Sequence, residues 1–301
     1  MIHSEQFEAI KRVEKYIETN IKNNITLYDV AKVSGYSQWH ISKLFKQYKG
    51  KTIFDYIRSC RLTRAALILR DEKTNVLDVA LDFVFDTHEG FTRAFSREFG
   101  INPKRYATKT PPIRLFMPYP VRSHISYLNK GETRMEKKSN ANTLFVQVIE
   151  RPARKLILKR GIKAVDYYEY CEEVGCDVWG LLCSIKNTLN EPMGLWLPKN
   201  MMVVGTSKYA QGVEVPLDYD LGIPEDFDII NLDACKIMIF QGQPYDDEVF
   251  EQAITDAWDV MGNYDPKIYG FEWAEEDAPR FQLEPQGYRG YIEGKPVRLI
   301  K

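Results

Sequence analysis

Apolar and polar positions follow two different rhythms along this chain. From residue 4 to residue 107 apolar side chains recur every three or four positions, the period of amphipathic helices. Phe7, Ile10, Val13, Ile17 and Ile21 predict an opening helix over 4–23. Thr26 and Asp29 are spaced as a capping box at the start of a second helix, which Ser34-Gly35 closes. Ser37 caps a third helix through about Tyr48, with Ile41, Leu44 and Phe45 inward and Gly50 as its stop. A long helix over 52–70 turns Ile53, Ile57, Leu62, Leu67 and Leu69 mostly inward. Its Arg58, Arg61 and Arg64 are expected to be solvated, partner-facing or salt-bridged. Residues 75–81 predict a fifth helix and 87–99 a sixth. Asn102-Pro103 supplies the N-cap and first position of a short seventh.

These helices contain the same unit twice. Asp29-Val30-Ala31 returns as Asp78-Val79-Ala80, and Tyr36 returns as Phe85. One residue is then inserted, after which Ile41, Lys43, Phe45, Gly50 and Tyr56 return as Phe91, Arg93, Phe95, Gly100 and Tyr106. A fixed period of about fifty residues marks a repeated supersecondary unit. Here that unit is helix, tight turn, helix, whose second helix can enter a DNA major groove.

After residue 107 the pattern changes. Residues 108–142 combine prolines and basic residues with weak periodicity and read as an extended linker, with local packing by Phe116 and Tyr119. Strands are predicted at 143–150, 154–159, 194–197, 201–209, 236–241, 280–284 and 288–300, and helices at 166–187 and 246–261. The expected architecture is multidomain. An all-α domain over 1–107 has two helix-turn-helix units joined by a long helix, and an α+β domain over 143–301 has a mainly antiparallel sheet and two helices.

Charge sharpens this division. Residues 1–140 hold 25 Lys+Arg against 15 Asp+Glu, whereas residues 141–301 hold 16 against 27, under a net charge of only −1. A basic half joined to an acidic half suggests a nucleic-acid binder tied to a module with another partner. No apolar run approaches the roughly 18 residues of a membrane span, and the first residues lack the pattern of a signal peptide. Five cysteines without a Cys-x-x-Cys pair fit reduced thiols in a cytoplasmic protein. No Ser-His-Asp set, zinc-ligand spacing or Gly-rich phosphate loop is present, so no catalytic residue, metal or cofactor is expected.

On the first recognition helix Gln38, Trp39, His40, Ser42, Lys43 and Gln47 are candidates to face DNA. Amides and hydroxyls can read base edges, and a lysine can meet guanine acceptors or a phosphate. Trp39, a large aromatic on a polar face, is better explained by DNA contact than by covering apolar surface. On the second helix Thr87, His88, Glu89, Thr92 and Arg93 hold the matching places. Glu89 either accepts from a cytosine amino group or stands away from phosphates, which makes the second half of a site less stringent than the first.

The lines TLYDVAKVSGYSQWHISKLFKQYKG, YIRSCRLTRAALILR and VALDFVFDTHEGFTRAFSREFGINPKRYA resemble the AraC/XylS-type DNA-binding domain. Together with the ending PRFQLEPQGYRGYIEGKPVRLIK, the arrangement is similar to Rob-like regulators with a C-terminal GyrI-like domain. The resemblance implies transcriptional control, commonly activation, by contact with RNA polymerase beside a duplex DNA site. It also implies a pocket of aromatics and an acid that binds small amphipathic cations. Candidate pocket residues are Tyr167, Tyr168, Trp179, Trp196, Trp273 and Tyr291, with Glu293 the preferred acid and Glu272 the second. The expected protein is thus a ligand-responsive activator that binds DNA as a monomer and can dimerise through its C-terminal domain. The alternatives are a C-terminal small-molecule hydrolase or sequestering binder, or a protein-interaction module without ligand.

Overall fold

Seven helices follow one another among the described residues of the N-terminal part. They are α1 (Ile2–Thr19), α2 (Leu27–Ser34), α3 (Gln38–Lys49), α4 (Ile53–Asp71), α5 (Val76–Asp82), α6 (His88–Phe99) and α7 (Pro103–Lys109). A computed structural model describes residues 2–118, 143–246 and 249–301 and divides the chain into two units, Met1–Thr133 and Arg134–Lys301.

Local chemistry fixes the ends of these helices. Thr26 and Asp29 form a reciprocal capping box, and Ser37, Thr52, Asn75, Thr87 and Asn102 each accept a backbone N–H from the turn they start. Ile41, Leu44 and Phe45 of α3 and Phe91 and Phe95 of α6 are buried, each contributing roughly 1.5–3 kcal/mol for a fully buried side chain. Arg12 donates to the carbonyls of Val33 and Ser34, tying α1 to the end of α2. Lys49, almost fully buried, pairs with Glu14, which also accepts from the Tyr56 hydroxyl at 2.9 Å. Burial lowers the Lys49 pKa despite the attraction of Glu14. The helix α4 touches α3, α5, α6 and α7 and so ties the two repeats together. Its arginines do structural work: Arg58 pairs with Asp55, Arg64 with Glu18, and Arg61 donates to the carbonyls of Ile21 and Asn23.

Residues 111–118 run extended against this unit. Ile113 and Leu115 are buried, and the Phe116 N–H donates to Thr63 Oγ1 at 2.9 Å while its ring meets Tyr56 edge-on. Tyr119 and the rest of the expected linker, through residue 142, lie outside the described residues.

The second unit is built on nine strands: β1 (Phe145–Arg151), β2 (Arg154–Arg160), β3 (Met193–Trp196), β4 (Tyr209–Val215), β5 (Asp228–Leu232), β6 (Cys235–Gln241), β7 (Phe271–Trp273), β8 (Arg280–Leu283) and β9 (Ile292–Leu299). They pair antiparallel in the order β1-β6-β9-β8-β3-β4-β2-β5, with β7 beside the end of β9. One apolar cluster combines Leu156 and Leu158 of β2 and Leu232 of β5 with Ile237 and Ile239 of β6. Strands far apart in the order can share a core only if the sheet curves around it. The other face carries two helical layers. The short helices α8 (Tyr167–Glu173) and α9 (Val178–Ser184) pack over β2 and β4, while α10 (Phe250–Gly262) packs over β6 and β9.

Three expectations change here. The helix read over 166–187 breaks into α8 and α9 at Gly175, whose φ of 104° helical residues do not adopt. The strand read at 201–209 is a turn, with the Thr206 N–H bonded to Val203 and Gly205 at positive φ, and β4 begins only at Tyr209. The strands β5 and β7 are additions to the predicted set, since five and three residues are too few for an alternation to stand out.

Candidate functional site

The two repeats present matching helices. Val30 and Val79, Ile41 and Phe91, Phe45 and Phe95, and Tyr56 and Tyr106 are all buried pairs. Gly50 and Gly100 end α3 and α6 at φ 69° and 68°. With the inward positions matching pair by pair, Lys43 and Arg93 hold equivalent places on the outer faces, and both are exposed. The 19 residues of α4 span about 28 Å, comparable to the roughly 34 Å between successive major grooves.

On α3, Gln38, Lys43 and Gln47 are exposed, and the Trp39 ring is 73% exposed. Lys43 Nζ stands 5.5 Å from the Trp39 ring centroid, so an aromatic plane and a cation are offered together. Trp39, Lys43 and Lys46 also line a groove of about 330 Å³ with Leu27, Ile53 and Phe54. The Ser42 hydroxyl donates to the Gln38 carbonyl, which leaves its oxygen as an acceptor. His40 turns back: its ring stacks on Tyr36 at 4.7 Å and its Nε2 is buried. On α6, His88, Glu89 and Arg93 are exposed, Thr87 serves as the N-cap, and the Thr92 hydroxyl is buried. His40 and Thr92 therefore shape the helices from within, while their neighbours form the outward surface.

In the second unit the strand register assembles a different site. Trp196 lies opposite Arg280, and Gln282 opposite Glu293, so antiparallel pairing puts all four on one sheet face. That face lies between the two helical layers. Glu293 is 0% exposed. Arg280 holds both of its carboxylate oxygens, through Nε to Oε1 and through a 2.9 Å bond to Oε2. Oε2 also accepts from the Tyr291 hydroxyl at 2.7 Å and from the Trp258 indole N–H at 3.1 Å. On its other side the Arg280 guanidinium lies 4.4 Å from the Trp196 ring centroid. Burial works against the Arg280 charge, but the hydrogen bonds and charge of Glu293 more than offset it and raise its pKa. Burial, then the charge of Glu293, pushes the Tyr291 pKa well above its ordinary value, so this hydroxyl stays protonated. Gly194 provides the floor, where a Cβ would meet the Tyr209 hydroxyl at 2.6 Å.

The other expected pocket residues are spread more widely. Tyr167 and Trp196 pack against the same buried cluster on the α8–α9 side, and Tyr168 is close enough to Glu251 of α10 for that charge, after burial, to raise its pKa. Trp179 is half-buried on α9. Trp273 packs toward Phe240 beneath the Lys295 ammonium. Glu272 is exposed on β7, 3.9 Å from Arg298, and does not join the Glu293 cluster. Sequence reasoning missed Arg280, Trp258 and Gln282. The Arg280-Phe281-Gln282 alternation does mark one polar and one apolar face, but only the strand order shows that the polar face meets Glu293.

A family model described as a helix-turn-helix domain matches residues 30–109. The Transposon Tn10 TetD protein of Escherichia coli is 42% identical over 98 residues, which cover 33% of this chain and 71% of that protein. The probable transcription factor PqrA of Proteus vulgaris is 35% identical over 100 residues, 33% of this chain and 82% of its own. The chain belongs to the helix-turn-helix family of these relatives. Another relative, the transcriptional regulator Rob of Salmonella typhimurium, is 34% identical over 119 residues, but the match spans only 41% of Rob. Its helix-turn-helix domain is the DNA-binding part, as in relatives described as transcription factors and transcriptional regulators. Among the described residues no helix is long and apolar enough to cross a membrane, and no group of three or more His, Cys, Asp or Glu could hold a metal ion.

Proposed function

We propose that this chain is a cytoplasmic transcriptional activator that reads duplex DNA as a monomer, placing α3 and α6 in neighbouring major grooves. The observation that carries this reading is the equivalent, exposed placement of Lys43 and Arg93 on two helices whose buried positions match pair by pair. Gln38, Trp39, Ser42 and Gln47 read or clamp the first groove, and Thr87, His88 and Glu89 border the second. RNA polymerase is the protein partner expected beside such a site. The unit over 143–301 acts as a GyrI-like sensor, taking a small amphipathic molecule against Trp196, Trp258, Tyr291 and the Arg280–Glu293 pair. A ligand shifts DNA affinity only as far as it binds two states of the chain differently.

Salt titration tests the DNA half. Cationic contacts release counterions, so log K falls with log salt by about 0.9 per phosphate neutralised. The Lys43→Ala/Arg93→Ala double variant is expected to lower that slope by about one to two on a duplex of mixed sequence. An unchanged slope in a folded double variant removes these two helices from the interface.

A further inference from the structure

An organic cation held by an aromatic–acid pocket makes two contacts: its charge lies over a ring face, and it meets a desolvated carboxylate. Arg280 already makes both. Its guanidinium lies 4.4 Å from the Trp196 ring centroid and spans the two oxygens of Glu293. Tyr291 and Trp258 take the remaining acceptor capacity on Oε2. A planar bidentate pair of this kind is the strongest geometry available to a carboxylate. Removing one partner would leave a buried charge without its bidentate pair.

The outward side of the cluster therefore does not present a bare acid. Arg280 keeps 35% of its side chain accessible, and the Trp258 ring beside it is also partly exposed. An approaching molecule meets a guanidinium edge and aromatic surface, with the negative charge behind them. Two residues further along the same strand, the Lys295 ammonium also feels the charge of Glu293 and adds positive charge beside it.

We propose that Arg280 is the specificity-determining residue of this site: it occupies the cation position permanently and so selects amphipathic ligands that are anionic, and rejects cationic ones. The inference rests on the ligand-binding reading of the second unit. It reverses the charge preference that the family resemblance implies for Glu293, and it does so with a residue from β8 that the acid's own strand does not supply.

The test uses two hydrophobic ions of nearly the same size and shape but opposite charge, tetraphenylborate and tetraphenylphosphonium. Both are titrated calorimetrically into the full chain, in sodium buffer at fixed ionic strength. The unsubstituted protein is expected to bind tetraphenylborate at least about tenfold more tightly, since close opposite charges and cation–π contact are together worth about that factor. Arg280→Gln frees Glu293 and reverses the order. The neutral pair Arg280→Gln/Glu293→Gln, which leaves neither member of the ion pair charged, loses the phosphonium preference and keeps the test open even where the single variant is unstable. Equal binding of both ions by the unsubstituted protein, or a phosphonium preference already present in it, overturns the role of Arg280 while leaving a ligand site in place. Binding of neither ion by any of the three folded proteins overturns both this inference and the ligand reading beneath it.

Discussion

Gly35 and Val84 hold the same place in the two repeats, and they show what the repeat preserves. Both sit at positive φ, 78° and 59°, in the turn that leads to the second helix. Glycine adopts that conformation freely, whereas for a β-branched residue it is strained. Tyr56 and Tyr106 are likewise equivalent and buried. The Tyr56 hydroxyl donates to Glu14, whereas that of Tyr106 is buried without a hydrogen-bond partner among the described residues. On the outer faces, α3 offers Trp39 with Lys43, and α6 offers Glu89 near Arg93. The buried apolar positions thus match closely, while turn chemistry, polar satisfaction and outward charge differ. The first copy has the better-satisfied turn and the more electropositive reading face.

The hydroxyl difference predicts the largest asymmetry in stability. Tyr56→Phe removes a bond to a charged acceptor and is expected to cost about 1.5–3 kcal/mol. Tyr106→Phe is expected to be neutral or slightly stabilising, because it deletes an unsatisfied group. Chemical denaturation of both variants checks this, and equal losses would erase the distinction. On DNA, Lys43→Ala is expected to weaken binding to a selected site by about 1–3 kcal/mol and to relax one part of it. Arg93→Ala is expected to cost less, and anisotropy titrations at one stated salt concentration would reveal the reverse order.

The turn difference is smaller. Gly35→Val is expected to lower stability by about 1–2 kcal/mol through left-handed strain alone, since nothing lies within 4 Å of the added Cβ. Val84→Gly should gain a few tenths of a kcal/mol or stay level, as relief of strain offsets lost apolar contact. A clear loss on melting would show that Val84 is held there by packing. The smallest effect belongs to Glu89→Gln, expected to tighten DNA binding by about 0.5 kcal/mol by removing repulsion from phosphates. Tightening that persists undiminished in high salt would point to a cause other than charge.

The first unit was legible because its information is local. Caps such as Thr26–Asp29 and Thr87, stops such as Gly50 and Gly100, and the three-and-four spacing of Ile41, Leu44 and Phe45 all act within one turn of helix. Periodicity could not show that His40 would stack on Tyr36 and bury Nε2, because both outward and turn-facing placements suit the same helical position. The second unit depends on long-range pairing. Glu293 was singled out on the last strand, but its partner Arg280 meets it only through the register of β8 and β9, and Trp258 arrives from α10. Glu272, the second choice of acid, pairs through β7 with the far end of β9, which carries it to the exposed edge instead.

Selection of bound sites from a random duplex pool tests two-groove reading most directly. The full chain would be compared with Lys43→Ala and with Arg93→Ala at one stated salt concentration. The account predicts one asymmetric motif with two information-rich blocks about 10 bp apart, one block fading in each variant. No enriched motif, or a motif that neither substitution alters, would contradict it.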